Sequence, residues 1–303
     1  MMQRVVANIL DYHLRAPPGR RVAIVYPEEK ATLAQAMAQG LVARDCQHQL
    51  IPVPDDASSL PDAALDAFDD GNIGLIVLLS PGMWSRQGVA RLFVMRDGQP
   101  SLSVRPSPLF VDTVIAPESF LRVYSSDPRE DWAHLESLRD RLPADAPVRV
   151  TAPGGTDLTF RARHWMICGH TEVLTAPVEG SAEGRIVADL SVFYGLVSAP
   201  IEVRLDGGRI VALRCADESD RLFRMYVDAM QRHFAAAEAN RLLAEVGIGG
   251  NAGARPSGVI MEDEAVRGTC HFCFGDNARY GGANASEWHG GTVVVREPRF
   301  SAG

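Results

Sequence analysis

Four residues in the second half of this 303-residue chain carry side chains suited to a divalent metal: Glu172, Glu245, His271 and His289. Both histidines sit between glycines and polar residues rather than on apolar helical faces. Glu172 enters a strand-like run in His170-Thr-Glu-Val-Leu-Thr-Ala-Pro177, and Glu245 follows a helical stripe in Leu242-Leu-Ala-Glu-Val-Gly-Ile-Gly249. Two imidazoles and two carboxylates form a donor set for Zn²⁺, Mn²⁺, Co²⁺ or Fe²⁺. Their spacing alone is a weak signal, because the four are scattered from position 172 to position 289 and only a fold can gather them.

Other motifs carry blander readings. Cys270-His-Phe-Cys273 is a CxxC without the strand-to-helix turn of a redox motif and without the second pair of a structural zinc site. On a strand, Cys270 and Cys273 would point to opposite faces, with His271 sharing the face of Cys273. The two thiols are expected to act as small buried hydrophobes. Gly247-Ile-Gly-Gly-Asn-Ala252 fits a relaxed dinucleotide fingerprint, but no strand is expected before it and Gly253, Pro256 and Gly258 follow. Asn284-Ala-Ser286 is a glycosylation sequon with meaning only in a secreted protein.

Around these residues the chain reads as globular. It is 46% hydrophobic, 7% aromatic and 22% charged, which argues against disorder and against a membrane protein. Thirty basic and 38 acidic side chains give a net charge of −8, a poor match to nucleic-acid phosphates. Five cysteines, an odd count and mostly far apart, are not a secreted disulfide framework, the N-terminus lacks the apolar core of a signal peptide, and no apolar run nears the ~20 residues of a membrane span. A cytoplasmic protein is expected.

The first third alternates helical spacing (2–14, 29–44, 60–69) with strand-like runs (21–26, which reads as buried, 48–54 and 73–79), the pattern of an α/β domain with a doubly wound, Rossmann-like parallel sheet. The break after Gly82 and the proline-spaced stretch Pro100 to Pro117 read as its far side, and an amphipathic helix over 129–142 closes it. The expected domains are 1–147 and 148–303. The second is a mixed α+β domain with short strands at 148–152, 157–161, 185–190, 201–213 and 291–296. Asp206-Gly207-Gly208 is a hairpin signal, and a long helix is expected over 218–243 with Leu222, Met225, Tyr226, Ala229, Met230, His233, Phe234 and Ala237 as its stripe.

The second half resembles the thermophilic-metalloprotease superfamily, which holds aminopeptidase T-type enzymes and 2,5-dihydroxypyridine dioxygenase. The resemblance rests on Val148 to Phe160, Thr171 to Pro177, Ala244 to Gly249, Glu262-Asp-Glu264 with Gly268 to Gly275, and Asn284 to His289. It implies an aminopeptidase T-like α+β domain with Glu172, Glu245, His271 and His289 as metal ligands. It further implies Glu245 and Tyr280 in catalytic roles and a homodimer. Where the family continues His-x-Asp, this chain has His289-Gly-Gly291, so an anionic ligand is missing.

Two outcomes are expected from that loss: one divalent ion (Zn, Mn, Co or Fe) held by His271, His289 and one glutamate, or a decayed site with no metal. The first gives a hydrolase acting on a peptide or small amide, and the second a non-catalytic protein that presents a peptide to another enzyme. A ring-opening dioxygenase is a third reading, weakened because Gly291 breaks the iron triad. Positions 289 and 291 of a strand project to one face, so Gly291→Asp is expected to restore metal binding.

Overall fold

The computed structural model describes residues 1–57, 60–78, 108–111 and 116–302, together with the backbone of the short strands 94–96 and 99–101. The chain divides into two compact units, Met1–Pro128 and Arg129–Gly303. Among the described residues no helix is long and apolar enough to cross a membrane.

The first unit is built on a parallel sheet of four strands: β1 (Arg21–Pro27), β2 (Gln47–Val53), β3 (Gly74–Val77) and, beyond a small hairpin of β4 (Val94–Arg96) and β5 (Gln99–Ser101), β6 (Leu109–Val111). The order is β2-β1-β3-β6, and each pairing is parallel. Val22–Val25 are wholly buried because β1 has a neighbour on each edge and is covered on both faces, which explains its unbroken apolar run. Ala23, Val25, Leu75, Val77 and Val111 pack on the helix Asp62–Asp69 through Leu65 and Phe68. Phe110, projecting the other way, meets the rings of His13 and Tyr124. The first helix is α-helical over Met2–Asn8 and widens to a π-helix over Ile9–Leu14, ending at Arg15 in the left-handed region. The expected break after Gly82 lies outside the described residues, as does most of Pro100 to Pro117.

The helix Pro128–Arg139, expected to close the first domain, lies in the second unit. Leu135 is fully buried in that unit's core. The buried carboxylate of Asp131 accepts hydrogen bonds from Asn251 Nδ2, the Ala252 amide and Arg267 Nη2 at 3.0, 3.0 and 2.8 Å.

Two antiparallel sheets make the rest of the second unit. One contains β7 (Pro147–Thr151), β8 (Asp157–Arg161), β11 (Glu183–Ala188), β14 (Ile201–Asp206), β15 (Arg209–Cys215) and β19 (Arg299–Ala302). The other contains β9 (Met166–Cys168), β10 (Glu172–Thr175), β12 (Ser191–Val192), β13 (Gly195–Leu196), β16 (Leu243–Gly249), β17 (Thr269–Gly275) and β18 (His289–Arg296), in the order β13-β12-β18-β17-β16-β10-β9. The β14–β15 hairpin turns at Gly207 and Gly208, both with positive φ, as its sequence signal requires. Val150, Phe160, Ile186 and Val203 of one sheet share a core with Val246, Phe272, Phe274 and Val293 of the other. Full burial contributes about 1.5–3 kcal/mol for each large apolar side chain.

The long helix spans Arg221–Ala236, seven residues short of the expected end at 243. Asp220 caps its start by accepting from the Phe223 amide at 2.8 Å, a contact worth about 1 kcal/mol. Ala237 is extended, and Asn240 Nδ2 donates to the His233 carbonyl. Its buried face is Phe223, Tyr226, Ala229, Met230 and Phe234, whereas Met225 is exposed. Glu245 therefore lies inside the fully buried strand β16, not after a helix.

Candidate metal centre

Strand alternation sorts the central strands into two faces. Val246, Ile248, Cys270, Phe272 and Phe274 enter the core. Glu245 and Gly247 of β16 and His271 and Cys273 of β17 therefore project from the opposite face. Register brings them together: Glu245 lies beside Cys273, Gly247 beside His271, and Glu172 of β10 beside Gly249. Adjacent strands thus assemble what the sequence scatters.

The carboxylates and imidazoles converge. His271 Nε2 lies 3.1 Å from Glu172 Oε2 and 3.2 Å from Glu245 Oε1, and Glu245 Oε2 lies 3.0 Å from His289 Nε2. His271 is almost completely enclosed, and Glu172 is the most accessible of the four, its side chain 16% exposed. Gly247 makes room for this arrangement. A Cβ there would stand 2.1 Å from His271 Nε2, so any larger residue on β16 would occupy the place of the imidazole. Gly249 has a similar role: its missing Cβ lets the backbone of Glu264 to Val266 close over the sheet.

The donor set fits a cation. A single proton on His271 Nε2 cannot satisfy two facing carboxylate oxygens, and Nδ1 of the same ring has no hydrogen-bond partner. On the other side, His289 Nδ1 lies 2.6 Å from the Asp276 carbonyl. A carbonyl only accepts, so Nδ1 carries the proton and neutral His289 would aim its Nε2 lone pair at Glu245 Oε2. A proton or a metal must lie between them. Ligand atoms 3.0–3.2 Å apart are spaced like neighbours in a coordination shell with bonds of about 2 Å.

Electrostatics agree. Burial disfavours charge on His271, but the Glu172 and Glu245 carboxylates outweigh it and hold the imidazole well above its ordinary value. Burial would raise Glu245, yet His271 and His289 hold it well below the carboxylate range. Glu264, missed as a site residue although it lies in a stretch that carries the resemblance, is pushed up to about 8 by loss of water, with Glu172 and Glu245 adding to the shift.

Among the described residues, ligand atoms within 4.8 Å of one another form two groups: Glu172, Glu245 and His271, and Glu245, Cys273 and His289. The expected set of both imidazoles with one glutamate is not such a group, because the two rings occupy opposite oxygens of Glu245. Tyr280, on the turn Ala278–Tyr280, stands edge-on to His289 with ring centroids 5.7 Å apart. Cys273, expected to be a bland hydrophobe, faces the site with its Sγ 3.1 Å from Thr292 Oγ1. Its shared face with His271 was the available signal.

The expectation for Gly291 is overturned. The register between β17 and β18 shifts between Phe272 and Phe274, and Gly291 absorbs the shift at φ +64°, the signature of a bulge. His289 and Thr292 reach the site while position 291 turns away. A Cβ at 291 would stand 2.6 Å from Met230 Sδ, and the Gly291 carbonyl already accepts from Tyr226 Oη at 2.9 Å.

No family model matches the sequence, and no curated protein matches it. Solved structures do. A 2,5-dihydroxypyridine dioxygenase from Pseudomonas putida superposes with a TM-score of 0.71 at 16% identity, over 99% of this chain and 93% of that one. AmpT from Thermus thermophilus superposes with a TM-score of 0.63 at 15% identity, over 99% of this chain and 94% of that one. The mixed α/β fold that the resemblance implied is the fold of this chain.

Proposed function

We propose that the chain is a metal-dependent hydrolase of a peptide or small amide, with one divalent ion held by Glu172 Oε2, Glu245 Oε1 and His271 Nε2. The observation that carries the metal is the pair of carboxylate oxygens facing one imidazole nitrogen over a glycine. The choice of amide chemistry follows the resemblance of residues 148–290. Such an ion, when bound, polarises a carbonyl and lowers the pKa of water.

Glu245 is committed through Oε1 to the ion beside His271 and through Oε2 to His289, so it is not free to carry a proton. Glu264 is the remaining buried carboxyl that feels Glu172, Glu245 and His271, and as a carboxyl not used to hold the ion it is the candidate to carry the proton. Glu172 is the most accessible of the three ligands. The ring-opening dioxygenase reading loses support, since an iron triad needs two histidines on one ion and here they diverge around Glu245.

The test is hydrolysis of a panel of dipeptides and small amides by stripped protein reloaded with Zn²⁺, Mn²⁺ or Co²⁺. The expected result is metal-dependent cleavage, lost in Glu172→Gln together with the metal. Glu264→Gln should lower kcat while metal binding persists. Stoichiometric metal with no cleavage across the panel would overturn the hydrolase and favour a protein that binds peptides without cutting them.

A further inference from the structure

Glu245 has two faces. Its Oε1 belongs to the group with Glu172 and His271, but Oε2 faces His289 Nε2 at 3.0 Å, and Cys273 Sγ completes that second group. Cys273 is Glu245's partner across the β16–β17 pairing, so the sulfur is carried to the carboxylate by sheet register. Cys270 of the same CxxC points into the core instead. The His289 tautomer set by the Asp276 carbonyl leaves a lone pair on Nε2 directed at a carboxylate, which is a place for a cation.

We infer that this chain holds a second, thiophilic divalent ion on Cys273 Sγ, His289 Nε2 and Glu245 Oε2, with sulfur supplying the anionic ligand that Gly291 cannot. Glycine at 291 has no side chain, and its absent Cβ points toward Met230 rather than toward the site. A thiolate, an imidazole and a carboxylate form a donor set for Zn²⁺ or Co²⁺ and a poor one for Mg²⁺ or Ca²⁺. On binding, the Cys273 S–H bond breaks and its proton passes to solvent. Sulfur keeps the electron pair and shares it with the ion, so no oxidant is involved. Thr292 Oγ1, 3.1 Å from Sγ, is placed to donate its hydroxyl to the thiolate and fix its direction. This inference rests on the metal reading above through the shared Glu245.

The test is a Co²⁺ titration of stripped protein followed by absorption and by metal analysis. The expected wild type binds about two ions and shows a near-ultraviolet sulfur-to-cobalt charge-transfer band. Cys273→Ser removes the band and one ion. Glu172→Gln keeps the band and loses the other ion, so failure of the first site shows as an unchanged count in that variant alone. Absence of the band in wild type, or its survival in Cys273→Ser, overturns the inference. Should Cys273→Ser fail to fold, X-ray absorption of the zinc-loaded wild type decides: a sulfur scatterer at about 2.3 Å supports it, and a shell of nitrogen and oxygen alone overturns it.

Discussion

Replacing Gly247 by alanine tests the geometry of the site without touching a ligand. The new Cβ would lie 2.1 Å from His271 Nε2 and 2.2 Å from Cε1, whereas carbon contacts settle at about 3.5 Å. The ring must retreat by roughly 1.4 Å, well beyond the ~0.5 Å within which such groups must be held. The strands cannot yield, because β16 is paired on both edges and wholly buried. The imidazole therefore turns off Glu172 and Glu245. Divalent-metal affinity should fall by about 100-fold, or roughly 2.8 kcal/mol at 1.4 kcal/mol per tenfold. Overpacking should cost a further ~1–3 kcal/mol of stability. Zinc titration by calorimetry, with urea unfolding of the stripped protein, measures both. Val246→Ala is the control: it opens a cavity on the core face and should lower stability with metal affinity intact. Unchanged metal affinity in Gly247→Ala would refute the argument that this glycine exists to seat His271.

Further outcomes follow from the same structure. Gly291→Asp should gain no metal and should lose about 2–4 kcal/mol of stability, from the left-handed backbone and the clash with Met230; a gain in metal binding by titration would restore the overturned expectation. Metal binding should expel the proton that Glu172 and Glu245 hold on His271, so apparent affinity should fall as pH falls. Calorimetry in buffers of different ionisation enthalpy reads the released protons, and none released would contradict the assignment. Burial would raise Glu179, but Arg163, the Ala283 amide and Asn277 hold it at about 2 against an ordinary 4.5. Its folded value lies below the unfolded one, so its stabilisation is present above 4.5 and fades toward 2. Urea midpoints across that window should fall less steeply in Glu179→Gln than in wild type. Light scattering on the purified chain should return the mass of a pair, and a single-chain mass across micromolar concentrations would end the homodimer proposal.

The four candidate ligands are legible as residue types, and the structure gathers Glu172, Glu245, His271 and His289 on adjoining strands. What failed was local. The helical stripe over 218–243 runs up to Leu243, with Glu245 just after it; pairing of Leu243–Gly249 with β10 and β17 overrides the helix propensity of this stretch, as sheet context does. β1 and β3 are readable because burial on both faces leaves continuous apolar runs, while Leu109–Val111 is too short to announce itself. The helical run over 129–142 reads as closing the first domain because nothing in its own sequence shows that Asp131 bonds to residues 120 positions away. The face of position 291 depended on a bulge, and period-two reasoning has no access to one. Cys273 was visible on the His271 face, but its meaning needed the position of Glu245.

The most direct test of the metal centre is anomalous diffraction from crystals loaded with Zn²⁺, recorded on both sides of the zinc edge. A peak is expected at about 2.0–2.2 Å from Glu172 Oε2, Glu245 Oε1 and His271 Nε2. Zinc-loaded crystals with no anomalous density among these three atoms would contradict it.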